Sequence, residues 1–159
     1  LINDIWGLKA DPGMAAVIAK AGVPCCLMHN RKEPVYQDLY RDVNADLEAC
    51  LALAREAGID RNKILLDPGI GFGKTYEQNL FLLNGMDQIR QDLDYPLLLG
   101  CSRKSVIGLT LDLPVSERLP GTLATTVLAV MKGCSFVRVH DIKENVQAIR
   151  MTEAIMEAR

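Results

Sequence analysis

Several features are scarce in this chain of 159 residues, and their scarcity excludes classes of protein. Aromatic residues make up 5% of the chain, and there are only two histidines. The cysteines number five, which is odd, and no two form a Cys-x-x-Cys pair, so neither a disulfide framework nor a zinc site is predicted. We expect reduced cysteines filling a core, in a cytoplasmic protein. They are Cys25, Cys26, Cys50, Cys101 and Cys134.

Strong net charge and long apolar runs are missing as well. The formal net charge is −2, and the lysines and arginines are scattered rather than striped, which excludes a typical nucleic-acid-binding surface. No apolar run approaches the ~20 residues that span a bilayer, and no signal peptide is visible, so no membrane association is expected. With 49% apolar residues, the chain is predicted to form one domain over residues 1–159.

What the sequence does contain is a regular alternation of short apolar runs and longer amphipathic runs. The apolar runs are too short and too apolar for surface strands, so they predict buried parallel strands at 1–5, 23–28, 64–66, 96–100 and 136–139. The amphipathic runs predict helices at 13–21, 39–57, 77–93, 121–132 and 143–158. Gly22, Gly58 and Gly133 follow three of these helices, where a left-handed cap is needed. Asp141 and Glu144 predict a capping box for the last one.

Five consecutive strand–helix units demand a parallel sheet, either doubly wound and open or closed as a barrel. The 159 residues give about 32 for each unit, and eight such units approach the roughly 250 residues typical of a (β/α)8 barrel. The sequence therefore favours a TIM barrel of which this chain supplies about five units. The first residues, "LINDI", have the pattern of a strand already under way, so we expect the chain to belong to a larger fold.

The stretch "DPGIGFGKT" from Asp67 to Thr75 ends like a Walker loop but does not match one. That loop requires glycine at the position occupied by Pro68, which has no N–H and a fixed φ. The dinucleotide fingerprint fails as well, since the glycines fall at 69, 71 and 73. What remains is an acid at a strand end, Asp67, and a glycine-rich loop with Phe72 and Lys74. The alternatives are that Asp67 caps its own loop, that Phe72 is a packing anchor and that Lys74 is solvated.

Two further motifs place cations after apolar strands. "GCSRKS", from Gly100 to Ser105, puts two cations and two hydroxyls at a predicted helix start, which suits a carboxylate or phosphate, although a basic surface helix entrance is the alternative. In "RVHD", Arg138 and His140 are two residues apart and share a strand face, which suggests an anion such as diphosphate. A pairing of Arg138 with a neighbouring carboxylate is the alternative there.

The two earliest motifs add groups that suit a flat, polar ring. In "INDI", Asn3 and Ile5 share one face of a strand, and a carboxamide both donates and accepts hydrogen bonds at a heterocycle edge. In "LMHN", Met28 offers a polarizable wall, and His29 is either a satisfied core histidine or a functional one. The motifs together predict binding of a planar polar ring and a phosphorylated group, without saying which.

In this order, "IND", "MH", "DPGIGFGK", "SRKS" and "RVHD" each close a strand, and the whole chain, including "SERLPGTLATTVLAVMKG", resembles the dihydropteroate synthases. The resemblance implies a pterin-binding (β/α)8 barrel of which the last five units are present. It implies a transferase of folate biosynthesis, the sulfonamide target, which condenses 6-hydroxymethyl-7,8-dihydropterin diphosphate with p-aminobenzoate and releases diphosphate with Mg²⁺. A cytoplasmic homodimer packed through the later helices is also expected from the resemblance.

The resemblance also assigns roles to individual residues. Asp67, Lys104 and Arg138 would be the catalytic groups. The pterin ring would be bonded by Asn3, Asp67 and Lys104 and packed by Ile5, Met28 and Gly100. The diphosphate would be bound by Arg138 and His140, and p-aminobenzoate by Phe72 and Ser105.

The chain lacks the family's first three strand–helix units, which carry a metal-binding Asn, p-aminobenzoate contacts and another pterin-binding Asp. No metal ligand is therefore expected within this chain, and the chain alone is expected to be inactive. Two other functions compete. A corrinoid-dependent methyltransferase barrel also binds a pterin but has no diphosphate to hold, and a truncated, non-catalytic fragment would bind a partner through its exposed strand edges.

Overall fold

The computed structural model describes residues 1–158 and contains five strands and six α-helices in that range. The strands are β1 (Ile2–Asp4), β2 (Cys25–Met28), β3 (Ile64–Asp67), β4 (Leu98–Leu99) and β5 (Phe136–Val137). The helices are α1 (Met14–Ala21), α2 (Leu39–Glu56), α3 (Tyr76–Leu93), α4 (Ser105–Leu111), α5 (Leu119–Met131) and α6 (Ile142–Glu157). Short 3₁₀ turns occupy Arg61–Lys63 and Val115–Glu117.

All five strands are parallel, and each lies next to its predecessor in the chain. The order is β1-β2-β3 in one ladder and β4-β5 in another, and a parallel bridge from Leu66 to Leu97 joins the two ladders. A doubly wound sheet would reverse its direction of growth at a switch point. The observed order is that of a barrel wall, which confirms the predicted partial (β/α)8 barrel.

The two faces of this wall are chemically different. Residues on one face, such as Leu27 and Leu66, join a large core with the helices, which also contains Leu47 of α2. The opposite face carries a separate small apolar cluster that contains Cys26 and Leu65. Because side chains alternate along a strand, residues two positions after Cys26 and Leu65 point to this inner face. The inner face therefore receives the residues at the carboxyl ends of the strands.

Most helix boundaries match the prediction within two residues, and the predicted apolar face of α2 is confirmed. Val43, Leu47, Cys50, Leu51 and Ala54 are completely buried.

The expected glycine caps are confirmed, but the expected capping box is wrong. Gly22, Gly58 and Gly133 all have positive φ, at 60°, 78° and 74°. At α6, Asp141 makes no side-chain cap bond because its carboxylate is engaged by Arg103. A capping box is found instead at α3.

At that helix, the Gln78 N–H donates to Thr75 Oγ1 at 3.3 Å, and the Thr75 N–H donates to Gln78 Oε1 at 2.8 Å. The threonine of the Walker-like "GKT" is thus a helix cap.

The wall is open at both ends. β4 and β5 are shorter than predicted because their pairing with each other is confined to two residue pairs, Leu98–Phe136 and Leu99–Val137. Within residues 1–158, β1 and β5 each pair on one side only, and Phe136 is 49% exposed. Five strands do not close an eight-stranded barrel. Among the described residues, no helix has the length and apolarity to cross a membrane.

Candidate functional site

Asp67 ends β3 and is 5% exposed. Its Oδ1 accepts the Gly69 N–H at 2.7 Å, so the carboxylate does cap its own loop. A methyl group on Gly100 would lie 3.6 Å from Asp67 Oδ2, which places the second oxygen beside the end of β4. Burial raises the pKa of the Asp67 carboxyl, whereas the Gly69 N–H and the positive charge of Lys104 act in the opposite direction.

The glycines after Asp67 are required by close approach to the loop that follows β2. Gly69 has φ 72°, and a Cβ there would lie 2.0 Å from the His29 carbonyl oxygen. Gly73 has φ 55°, and a Cβ there would lie 2.3 Å from the Arg31 carbonyl oxygen. This contact fixes the half-buried Phe72 above the end of the barrel wall.

Lys104 connects the β3 and β4 loops. It is the N-cap residue of α4, and its Nζ donates to the Ile70 carbonyl oxygen. The same Nζ lies 4.6 Å from the centre of the Phe72 ring, a cation–π contact. Burial lowers the pKa of Lys104, and the negative charge of Asp67 opposes that shift.

Four of the predicted site residues line one small cavity. Its volume is about 230 Å³, and it is lined by Gly100, Ser102, Lys104, Arg138, Val139 and His140. His140 Nδ1 lies 2.9 Å from Ser102 Oγ, and the His140 N–H donates to the same oxygen at 3.2 Å. A cavity with two cations and an imidazole, and with Asp67 beside Gly100, can hold an anionic group next to a ring that donates hydrogen bonds.

The expectation of two free cations in "GCSRKS" is wrong for Arg103. Its side-chain Nε donates to Asp141 Oδ2 at 3.0 Å, and its backbone N–H donates to Thr122 Oγ1 at 3.0 Å. Arg103 therefore ties the β4 loop to the β5 loop instead of facing a ligand. Arg138, by contrast, makes no salt bridge within 4 Å among residues 1–158, and its positive charge acts on Asp67 only at longer range. The alternative of a direct Arg138–carboxylate pair is therefore not found.

The remaining predicted residues lie around the same end of the wall at different depths. Asn3 is exposed and lines, together with Arg138, a cavity of about 460 Å³ between β1 and β5. Met28 is 2% exposed, and Ser105 is an exposed first residue of α4. Ile5 follows β1 in a turn and is 41% exposed, so it does not extend the strand as predicted.

Asp4, on the other face from Asn3, forms that turn, because its carboxylate accepts the N–H groups of Trp6 and Leu8 at 2.9 and 2.8 Å.

A buried polar chain beneath the glycine loop was not predicted as a unit. Lys74 Nζ lies 2.8 Å from His29 Nδ1, and His29 Nε2 lies 3.0 Å from Asp46 Oδ2. Arg31 Nε donates to the same Asp46 oxygen at 2.6 Å. The interpretation of His29 as a satisfied core histidine fits this arrangement, whereas the expectation of a solvated Lys74 is wrong. Sequence spacing gave no signal, because the four residues come from three separate segments.

The protonation states of these four linked residues follow from their burial and their hydrogen bonds. Burial, together with the Lys74 charge, lowers the pKa of His29 to about 3. Burial opposes ionisation of Asp46, but the Arg31 hydrogen bond and charge hold the pKa of its carboxyl below its usual value. Burial lowers the pKa of Lys74 to about 7, against the attraction of Asp67. His29 is therefore neutral at physiological pH, with its proton on Nε2.

This neutral histidine predicts a specific loss of stability in acid. Because the pKa of His29 is about 3 when folded and about 6.5 when unfolded, the unfolded chain binds an extra proton as the pH falls below 6.5. Urea unfolding at pH 6.5 and pH 4.5 is expected to show a loss about 2 kcal/mol larger in the wild type than in His29→Gln. Equal losses in the two proteins would show that His29 does not carry this dependence.

Within residues 1–158, no group of three or more His, Cys, Asp or Glu side chains is arranged to hold a metal ion. The one carboxylate at the cavity, Asp67, is enclosed by its own loop N–H and by cations.

Comparison with known proteins gives one consistent result. The family described as pterin binding enzyme matches residues 1–140. The chain is 57% identical over 157 residues to a dihydropteroate synthase of Clostridium beijerinckii and 51% identical over 156 residues to that of Bacillus subtilis, in each case over 98% of this chain. It spans 58% and 54% of those two relatives.

Solved structures agree with the sequence matches. The structure of a Clostridium difficile dihydropteroate synthase in the presence of pteroic acid superimposes with a TM-score of 0.95 at 45% identity. The alignment covers 98% of this chain and 59% of that protein. A Yersinia pestis dihydropteroate synthase with a pterin–sulfa conjugate gives a TM-score of 0.94 at 42% identity. The similarity thus extends over nearly all of this chain and a little over half of its relatives.

Proposed function

Because the chain belongs to the pterin binding enzyme family, we propose that it forms the pterin- and diphosphate-binding part of a dihydropteroate synthase. The reaction would join 6-hydroxymethyl-7,8-dihydropterin diphosphate to p-aminobenzoate, giving 7,8-dihydropteroate and diphosphate. The observation that carries the proposal is the convergence of Asp67, Gly100, Lys104 and Arg138 at one end of the barrel wall. The pteroic acid in a solved relative supports it.

The protein would recognise the pterin ring through hydrogen bonds along the edge of the ring. The buried Asp67 carboxylate would accept two ring N–H groups, and Asn3 would donate and accept at the same edge. Lys104 would donate to the ring carbonyl, since its Nζ already reaches the backbone oxygen of Ile70 at this place. Ile5, Met28 and Gly100 would pack against the ring faces. A carboxylate in this position favours a ring that donates, which discriminates against isomers that only accept.

The leaving group would be stabilised by cations. As the carbon–oxygen bond breaks, its electron pair remains with the diphosphate, and a pterin cation is left at the methylene carbon. Arg138 and His140 line the cavity in which this negative charge would develop. Preorganised donors at such a position lower the barrier because they need no rearrangement during the step. The amine of p-aminobenzoate then forms the new carbon–nitrogen bond and loses a proton.

The second substrate would lie on the side of the glycine loop where Lys104 covers the Phe72 ring, away from α2. Phe72 would form a wall of the p-aminobenzoate pocket. The exposed Ser105 hydroxyl at the start of α4 would donate a hydrogen bond to its carboxylate.

Other features of the proposed enzyme would come from beyond these residues. Mg²⁺, which neutralises diphosphate charge when bound, would be held by groups outside this chain. A homodimer and a cytoplasmic location are also proposed, the latter supported by five free cysteines.

Activity would require the barrel to be closed. The chain spans less than two thirds of its relatives, and its wall is open at β1 and β5. We therefore expect no turnover by residues 1–159 alone. A suitable test protein replaces the matching 157-residue segment of the Clostridium beijerinckii protein with this chain. This protein is called the complete barrel below.

The deciding experiment offers the complete barrel two sets of substrates. With dihydropterin diphosphate, we expect diphosphate release that depends on p-aminobenzoate. With methyltetrahydrofolate and a corrinoid protein, we expect no methyl transfer, because Arg138 and His140 favour a substrate that carries diphosphate. Methyl transfer without diphosphate release would favour the methyltransferase instead.

A third prediction separates ligand binding from folding. A methyl group on Gly100 would meet its nearest neighbours at 3.6 to 4.0 Å, which are ordinary contact distances, so Gly100→Ala is expected to leave the melting temperature unchanged or slightly raised. The same methyl group would occupy space beside Asp67, and pteroic acid should bind at least about tenfold more weakly by calorimetry. Unchanged affinity would show that the ring does not pack on Gly100.

A further inference from the structure

Lys74 is bonded to the glycine loop from the side that faces α2. Its Nζ donates to the carbonyl oxygens of Gly69 and Phe72, both at 2.9 Å. The third acceptor is His29 Nδ1 at 2.8 Å. An ammonium group has three N–H donors, so every donor of Lys74 has an acceptor here.

The third acceptor is itself fixed to a helix. His29 is completely buried, and its Nε2 donates to Asp46 Oδ2 of α2 at 3.0 Å. Arg31 also donates to this carboxylate, at 2.6 Å, and stacks 4.5 Å from the centre of the Tyr36 ring. The Tyr36 hydroxyl donates to the Gly73 carbonyl oxygen at 2.7 Å. These side-chain bonds thus fix the position of the glycine loop relative to α2.

The opposite side of the loop is the side proposed to meet substrate. There Lys104 bonds the Ile70 carbonyl oxygen and covers the Phe72 ring. When Lys104 turns toward a ligand, it gives up its loop contacts, and the Phe72 backbone is then held by its own N–H bond to the Gly69 carbonyl oxygen, at 3.0 Å, and by Lys74. Gly69 has a further restraint in its N–H bond to Asp67, whereas Phe72 has none from that carboxylate.

We propose that Lys74 is a positioning residue for the second substrate: it fixes the Phe72 carbonyl, and through it the Phe72 ring, without touching either substrate. This deepens the proposed function and rests on it. Loss of the ammonium frees the carbonyl oxygens of both Phe72 and Gly69. Gly69 keeps its N–H bond to the buried Asp67 carboxylate, whereas Phe72 keeps only its N–H bond within the loop. The two substrates should therefore respond differently to its removal.

The test is steady-state kinetics of Lys74→Met in the complete barrel. We expect the KM for p-aminobenzoate to rise at least about tenfold, since small displacements of a positioning group weaken productive binding strongly. The dissociation constant of the dihydropterin substrate should rise by no more than about threefold, because Lys74 touches none of its proposed contacts and acts on Asp67 only through its charge. Amide hydrogen exchange of residues 69–73 should become faster in the variant.

Lys63→Met is the matched control. Lys63 is also half-buried and also donates to a loop carbonyl, that of Gly22, at 2.7 Å, but it precedes β3 at the far end of the wall. The Lys63→Met variant should leave three quantities unchanged: the KM for p-aminobenzoate, the dissociation constant of the dihydropterin substrate and the amide hydrogen exchange of residues 69–73. If Lys74→Met does not fold, Lys74→Gln, which keeps two N–H donors, is measured with the same expectation and a smaller rise in KM.

Two outcomes would overturn the proposal while leaving the enzyme assignment intact. One is an active wild type in which the Lys74 variant shows an unchanged KM for p-aminobenzoate. The other is an equal loss of affinity for both substrates, which a purely structural role would produce. An inactive but folded wild-type barrel would instead contradict the proposed function itself.

Discussion

Asp67→Asn in the complete barrel is expected to lower kcat/KM for the dihydropterin substrate by about 1,000-fold. The buried carboxylate would accept two N–H groups from the ring, and each charge-assisted bond contributes about 2 kcal/mol. Asparagine keeps one acceptor, but that bond loses its charge assistance, the second bond is lost, and the NH₂ group is forced against a ring donor. Together these effects are expected to cost about 4 kcal/mol, which corresponds to that factor in rate.

The fold should survive this substitution. Asparagine has the same shape, and its side-chain oxygen can still accept the Gly69 N–H that Asp67 now accepts at 2.7 Å. We expect an unchanged circular dichroism spectrum and a melting temperature that does not fall. Asp112→Asn is the control, since Asp112 is an exposed αL residue at the end of α4, a conformation that asparagine tolerates. A variant at Asp67 that binds pteroic acid normally would remove this residue from pterin recognition.

Arg138→Gln is expected to lower kcat by about 100-fold or more, since preorganised charge at a leaving group supplies stabilisation of that size. Within residues 1–158 Arg138 makes no salt bridge, although its positive charge favours the ionised Asp67 carboxyl, so its removal breaks no direct ion pair. The affinity for inorganic diphosphate should fall strongly, while the affinity for pteroic acid should change by less than about threefold. Calorimetry with each compound distinguishes these effects.

Arg150→Gln serves as the control because Arg150 is an exposed arginine on α6, away from the cavity. It should leave kcat and both affinities unchanged. A loss of pteroic acid affinity in Arg138→Gln equal to the loss for diphosphate would place Arg138 against the ring rather than against the leaving group.

The arrangement of strands was predictable because it follows from local patterns. A short apolar run such as Cys25–Met28 cannot be a surface strand, and five such runs separated by helices leave few topologies. The polar residues at strand ends were predictable for the same reason, since parallel strands bring their carboxyl ends together. Asp67, Lys104 and Arg138 are placed by this rule alone.

Contacts between loops were not predictable in this way. Arg103 was expected to face an anion, but the partner that occupies it, Asp141, lies 38 residues away and reaches it only through the fold. Lys74 was expected to be solvated, because no residue near it in sequence indicates that the fold brings it to His29 and Asp46. The Asp141 capping box failed for the same reason, since a distant guanidinium outcompeted the local N–H. Side chains with long-range partners are the part of the site that a linear pattern does not contain.

The measurement that tests the account most directly is the formation of 7,8-dihydropteroate by the complete barrel. The product is followed by chromatography with dihydropterin diphosphate and p-aminobenzoate as substrates. Product is expected at a rate that depends on both substrates and is lost in Asp67→Asn. A folded, monodisperse complete barrel that makes no dihydropteroate, or one whose rate is insensitive to Asp67→Asn, would contradict this expectation.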